Sequence, residues 1–492
     1  MISRSTIYAV LSLSLASCAV GPRFKAPAAD VPPAFGAAPK QAVAPARVSS
    51  EEPGPNWWHE FHDDELDRLE DRARRGNLDL QSGLLRIVEA RTQVQAARAQ
   101  GLPSLNATAS YNREQLGFAG ILKAQGGTTG TLDPALVSAL TSPVSLYQVG
   151  FDASWELDLF GKVSRSVEAA KAQSEEAVES RNDMLVSLQA EVAQTYMQLR
   201  AAQLLRSVTQ GMIADQQEIL ELTMSKHDHG LADDADVESA RAQVSSLRAQ
   251  LPQYDQNMAA SRHALSVLVG ETPAALDVEL GPAAPLPAVP QLIPIGLPST
   301  LARRRPDIRE AEASLRAATA QIGVSMASLY PDVALAGTLG LRNIGTHYLF
   351  DWASKFYTAG PTVSLPIFHG GALVANVKMA RAEEAAAALA YRKTVLTALQ
   401  EVEDGLVSLD QDGVRVTALH DTVAADQRSF EIATHSYKVG LTSYVSVLTQ
   451  ALQTNQAKEQ LAQASLMEVT DLVKLYKALG GGWQSDPTSA SN

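Results

Sequence analysis

The sequence predicts a mainly α-helical chain that carries two long β-hairpins and states its plan twice. Three observations lead there. From Val149 to Leu159 apolar and polar residues alternate, with Val149, Phe151, Ala153, Trp155, Leu157 and Leu159 set against Gly150, Asp152, Ser154, Glu156 and Asp158; alternate side chains of a strand face opposite ways. After Gly161 a proline-free helical pattern runs to about Lys226, with Leu185, Leu188, Val192 and Leu199 spaced by three, four and seven, the spacing of a coiled-coil seam. Finally, residues recur at fixed offsets. Asp79, Gln93 and Pro103 return 228 positions on as Asp307, Gln321 and Pro331, and Glu191, Val192, Gly230, Leu231 and Gly270 return 210 positions on as Glu401, Val402, Gly440, Leu441 and Gly480. An internal repeat of this length makes each copy one structural unit.

The chain opens with Arg4 and a short apolar run, Ile7 to Ala16. That run is too short to span a bilayer and reads as the core of a signal peptide over residues 1–17. Leu15-Ala16-Ser17-Cys18 holds the one cysteine of 492 residues, which excludes an internal disulfide. Small residues before a lone cysteine resemble a bacterial lipobox, implying that Cys18 is the lipidated first residue of the mature chain. Ala19, rather than Asp, follows it, as in lipoproteins sorted to the outer membrane. Nowhere else do about 18 consecutive apolar residues occur, so no helix is expected to cross a membrane; a spanning element must then be a closed barrel. A net charge of −13 argues against a nucleic-acid partner.

Residues 18–55 are rich in Pro and Ala and predict an extended tether. The first repeat, 56–270, begins near Asn56-Trp57-Trp58 with a helix capped by Asp63 or Asp64, broken at Gly76-Asn77 and ending near Gln100. A hairpin follows over 104–159, with a long loop and a short helix at Pro134–Leu140. Then come the long helix, a break at His227–Gly230, and a second helix from Asp233 to Val269. Residues 271–298 form a Pro-rich connector. The second repeat, 299–481, carries a hairpin over 332–367 and a seam of Val395, Leu399, Val402, Leu406 and Leu409. A tail, 482–492, including Trp483, reads as flexible.

Four strands cannot close on themselves, and open sheet edges cannot sit in lipid. Two chains would give eight strands, a barrel filled by its own side chains; three give twelve, wide enough for a channel. The polar set favours a channel: Asp152, Glu156 and Asp158 with Asn106, Thr108 and Thr362 face inward, and Gly340 and Gly360 leave space. The pattern thus predicts a homotrimeric conduit.

The stretches Cys18–Pro27, Trp57-Trp58, Trp155-Glu156-Leu157-Asp158-Leu159-Phe160-Gly161, Arg304-Arg305-Pro306-Asp307-Ile308 and Leu365-Pro366-Ile367-Phe368 resemble the NodT/OprM branch of the TolC-like outer membrane factors. The resemblance covers residues 18 to about 481. It implies a trimeric 12-stranded outer-membrane β-barrel, four strands per chain, continuous with a long periplasmic α-helical barrel. It implies a lipid-anchored protein of the cell outer membrane that projects into the periplasm, with outer membrane lipids around its barrel. The implied function is passive export of small molecules such as drugs, powered by an inner-membrane efflux pump, of resistance-nodulation-division type in this branch, through a periplasmic adaptor protein. No enzyme activity, cofactor or metal is implied.

The resemblance also marks sites. A Tyr-x-x-Gly turn at the periplasmic tip, where the adaptor docks, is matched by Tyr437, Val439, Gly440 and Leu441; the first copy has His227 in place of the tyrosine, then Gly230 and Leu231. Beyond the turns lie gate candidates: Val445 as an apolar constriction, Thr449 where the family often has Asp, and Asp233, Asp234 and Asp236, which either line the lumen or cap the helix start. His227 and His229 lack further metal ligands. No GxSxG, P-loop, HExxH or CxxC occurs, and Glu156 and Asp158 share one strand face, unlike a glycosidase pair. Arg303-Arg304-Arg305 reads as a solvated helix start. The alternative to a channel is a non-transporting envelope lipoprotein scaffold of coiled-coil helices, which would have no use for four alternating strands.

Overall fold

The structure, a computed structural model, describes residues 19–27, 31–36, 47–115 and 142–483. The signal segment, Cys18, the helix expected at Pro134–Leu140 and the tail beyond Trp483 lie outside them. The elements in chain order are β1 (Arg47–Ser49), α1 (Asp64–Gly76), α2 (Leu78–Ala99), β2 (Ser104–Glu114), β3 (Val144–Leu157), α3 (Lys162–Asp228), α4 (Asp234–Leu268), β4 (Leu292–Pro294), α5 (Pro298–Arg304), α6 (Pro306–Ala327), β5 (Asp332–Asn343), β6 (Lys355–Ser364), α7 (Ala372–Lys438) and α8 (Tyr444–Ala478). The two copies match helix for helix: α3 and α7 have 67 residues each, α4 and α8 have 35, and α2 and α6 have 22.

Two compact units emerge. The first comprises Met1–Lys25, Glu89–Ser174 and Ser314–Ala387. It holds an antiparallel sheet in the order β2-β3-β5-β6, whose outer edges, on β2 and β6, have no partner strand among the described residues. The register sets Asn106, Asp152, Thr338 and Thr358 abreast on one face and Ala107, Phe151, Leu339 and Tyr357 abreast on the other, so the alternation seen in one strand holds across the sheet. Strand β6 stops at Ser364, short of the expected 367, because Pro366 has no N–H for a ladder. Gly340 is needed for a different reason than lumen space. A Cβ there would lie 2.5 Å from the Val149 carbonyl oxygen and 3.0 Å from the Phe356 ring.

The second unit comprises Ala26–Val88, Glu175–Ala313 and Ala388–Asn492. Its core buries the predicted seams, Leu185, Leu188, Val192 and Leu199 with Val402, Leu406 and Leu409, beneath Trp57, Trp58 and Phe61. Trp57 stacks on Tyr476 at 5.1 Å. Asp63 is the cap of α1: its Oδ1 accepts the Glu65 and Leu66 N–H groups at 2.9 and 3.1 Å, while its Oδ2 accepts from the Tyr196 hydroxyl at 2.7 Å. The segments without periodicity also join this core. Strand β1 pairs in parallel with β4 of the Pro-rich connector, and Phe35, Leu276, Leu280 and Ile293 are buried. Two expectations are corrected. Trp483 does not belong to a flexible tail: its Nε1 donates to the Arg304 carbonyl at 2.8 Å, and Arg309 lies over its ring. Nor is Arg305 a solvated helix start. It is buried, with Nε and Nη2 donating to Asp307 at 3.0 and 2.8 Å and Nη1 to Glu401 and to the Ala478 carbonyl at 2.7 Å each.

Candidate functional site

Two places gather the singled-out residues: the polar face of the sheet and the turns between the long helices. On the sheet, Thr108 Oγ1 donates to Asp152 Oδ2 at 2.7 Å, the Thr338 and Thr358 hydroxyls bond each other, and Arg342 donates to Gln148 Oε1 at 2.7 Å. Glu156 accepts from Lys162 Nζ at 3.1 Å. The first three are cross-strand polar pairs and the last ties β3 to the start of α3; none is a constellation aimed at a reacting group. Asp158 is a correction. It lies beyond the end of β3, and its carboxylate accepts the N–H groups of Val163 and Ser164 at 3.0 and 2.8 Å, satisfying free donors at the start of α3. Period-2 reading cannot see such a cap. It also missed Phe356, an aromatic on the polar face, with the Arg342 guanidinium 4.4 Å above its ring. On the opposite face Phe151, Trp155, Leu339, Tyr357 and Val363 are exposed.

Each pair of long helices turns in the same way. The Gly230 N–H donates to the His227 carbonyl at 2.8 Å and the Leu231 N–H to the Lys226 carbonyl at 2.8 Å; the Gly440 and Leu441 N–H groups donate to Tyr437 and Ser436 at 3.1 and 2.8 Å. This is a Schellman ending, which requires the left-handed backbone that glycine adopts at low cost; φ is 69° at Gly230 and 80° at Gly440. Leu231 and Leu441 are left 74% and 81% exposed, and Val439 is exposed beside them. His227 is half exposed, with Nε2 2.8 Å from Asp234 Oδ1.

Tyr437 is not part of that exposed tip. It is buried, donates to Thr223 Oγ1 at 3.3 Å, meets Tyr444 edge-on at 6.2 Å and carries Lys226 Nζ 4.5 Å over its ring. It braces the turns from inside. The partners Thr223, Lys226 and Tyr444 had no signal of their own, apart from lying within two turns of a glycine break. Asp233 is a cap, accepting the Asp236 N–H at 2.9 Å. The Asp236 carboxyl is raised by burial and by the charge of Asp233, and its own charge pushes the Tyr437 and Tyr444 hydroxyls, already raised by burial, further up. Val445 is 62% exposed, and Thr449, one turn on, is exposed with its hydroxyl bonded to the Val445 carbonyl at 2.8 Å.

The chain matches the family described as outer membrane efflux protein over residues 69–271 and 297–481, two segments that correspond to the two copies. It is 32% identical over 486 residues, 98% of this chain and 96% of the relative, to the antibiotic efflux pump outer membrane protein ArpC of Pseudomonas putida. It is 31% identical, over 96% of this chain and 93% of the relative, to nodulation protein T of Rhizobium leguminosarum bv. viciae. Among solved structures, the outer-membrane channel OprN is similar at a TM-score of 0.83 and 31% identity, over 95% of this chain and all of that one.

Proposed function

The chain belongs to the outer membrane efflux protein family, is an outer membrane channel of the efflux-pump type and is not an enzyme; on that premise we propose a passive trimeric duct. Three chains close their sheets into one twelve-stranded barrel. The carrying observation is the four-stranded sheet with one polar and one apolar face and, among the described residues, an edge on each side without a partner strand. The polar face, with Asp152 and Glu156, lines the water-filled lumen, and the face of Phe151 and Trp155 meets lipid.

The cargo is small molecules of the drug class, a reading supported by the names of relatives, which are antibiotic and toluene efflux components. Energy comes from an inner-membrane pump of the resistance-nodulation-division type, reached through a periplasmic adaptor. Leu231, Val439 and Leu441, exposed on the glycine turns at Gly230 and Gly440 beside His227, are the adaptor-docking surface; exposed apolar groups on rigid turns suit such a contact. Val445 and Thr449 narrow the closed end, while Asp233 and Asp236 organise the turns.

Cys18 carries a lipid anchor. Ala19, the next residue, lies against Gly161, where a Cβ would come within 2.6 Å of it, and the Val20 N–H donates to the Phe160 carbonyl at 3.1 Å. The anchor would thus emerge where β3 gives way to α3, at the periplasmic rim of the barrel.

Planar-bilayer conductance of the purified trimer tests the duct. We expect small steps in the wild type and larger ones in Val445→Ala/Thr449→Ala. No conductance in either would point to the scaffold.

A further inference from the structure

One residue breaks the sign of the sheet's polar face. The register places Glu114, Asp152, Glu156 and Asp332 on that face, all carboxylates, together with Arg342. Among the described residues of the four strands, Arg342 is its one cation. It stands in the row of Ser110 and Gln148, towards the end of the sheet away from α3. Asp152 and Glu114 are four residues along their strands from that row, about 13 Å, and no carboxylate pairs with Arg342 among the described residues.

The guanidinium is held in place. Its Nε and Nη2 donate to Gln148 Oε1 at 3.0 and 2.7 Å, and it lies 4.4 Å over the Phe356 ring. Phe356 lies in turn on bare backbone. It stands opposite Gly340, which stands opposite Gly150, and a Cβ on Gly340 would come within 2.8 Å of the Gly150 Cα and 3.0 Å of the Phe356 ring. Glycine inside a strand marks the close approach of another group; here that group is the ring beneath the cation. The hairpin end is pinned as well. Asn343 Nδ2 donates to Ser354 Oγ at 2.7 Å, and Ser354 Oγ donates to the Tyr348 carbonyl at 2.7 Å. Gln148 thus uses two of the five guanidinium donors, and Nη1 and Nη2 each keep a free hydrogen at the end of the fork among the described residues.

A carboxylate matches that fork with two parallel bonds. The neighbours on the face narrow the choice further: Leu146, the next position beyond Gln148, and Phe356, in the row on the other side, flank the cation with apolar surface. We propose that Arg342, stacked on Phe356, is a subsite of the duct for organic carboxylates with an aromatic or apolar body. The carboxylate sits on the fork and the body lies against Leu146 or the edge of Phe356. In the trimer three such sites make a positive collar near the outer mouth of a lumen otherwise lined by carboxylates. This rests on the duct reading, in which the polar face meets water, and adds a class of solute that the wall itself prefers.

The test is current block in planar bilayers, with the full-length trimer and benzoate as the probe, added on the side of the barrel loops. Benzoate should block the wild type and Val445→Ala/Thr449→Ala at a concentration about tenfold below that of acetate, which lacks the apolar body, or benzyl alcohol, which lacks the charge. Arg342→Gln should raise the half-blocking concentration about tenfold, and Arg342→Lys, which keeps the charge without the fork, severalfold. The potassium-to-chloride permeability ratio, read from the reversal potential in a salt gradient, should rise in Arg342→Gln and rise further in Arg342→Glu. Equal benzoate block in the wild type and Arg342→Gln, or a permeability ratio unmoved in Arg342→Glu, would overturn the subsite while leaving the duct standing. Acetate blocking as well as benzoate would overturn the apolar half of the site. Absence of conductance in every variant would overturn the duct and the subsite together.

Discussion

Replacing Arg305 by Met should loosen one joint of the second unit and leave its twin intact. Arg305 makes two bonds to Asp307, one to Glu401 and one to the Ala478 carbonyl at the end of α8. At the equivalent place in the first copy stands Asn77, whose Nδ2 donates to the Leu268 carbonyl at the end of α4 at 3.0 Å and whose Oδ1 caps α2 at Asp79 and Leu80. The same joint is closed once by a buried cation and once by a neutral amide. Breaking a buried ion pair on one side costs about 3–5 kcal/mol. The Glu401 side chain is 48% exposed, so water recovers part of its share, and about 3 kcal/mol remains. At about 1.4 kcal/mol per tenfold, that is roughly a 150-fold larger opening constant. Native-state hydrogen exchange reads it directly: the amides of Ile308 and Leu479 should lose about two decades of protection, while those of Leu80 and Val269 do not. Asn77→Ala should do the reverse and cost about 2 kcal/mol, one for the carbonyl bond and one for the cap. A loss below tenfold in Arg305→Met, or a loss spread equally over both joints, would refute the assignment.

Glu70 is fully buried with neither carboxylate oxygen hydrogen-bonded among the described residues, and burial pushes its carboxyl well above the usual range. A raised carboxyl contributes stability that is complete below the unfolded value near 4.5 and is lost as pH climbs towards the folded value; Glu70→Gln should therefore stabilise the protein most at pH 8 and least at pH 5, and parallel thermal-unfolding curves for the two proteins would refute this. Gly440→Pro, which destroys the left-handed turn, and Leu441→Asp, which charges its tip, should abolish efflux in cells while trimer and conductance persist; normal efflux in both would remove the tip from adaptor docking. Cys18→Ser should lose the lipid adduct on mass spectrometry, and an unchanged adduct would refute the anchor site.

Much of the sheet was legible because its signal is short-ranged. From Val149 to Leu157 the alternation is strict, and the observed register carries it across all four strands. The helices were legible because two copies constrained each other's ends. What stayed hidden depended on where a side chain finds its partner. Asp158 continues the alternation in sequence yet turns to the backbone of α3. Tyr437 matches a motif, but no motif says that its ring goes inward beneath Lys226. Arg305 looks like one of three solvated cations until Glu401 and Ala478, 96 and 173 residues away, close around it. Two copies of one plan in a single chain act as a small internal comparison, and their differences carry as much as their likeness. Where a position is polar and buried in one copy but apolar and exposed in the other, as at Glu179 and Leu389, the backbone plan is unchanged and only the neighbour differs.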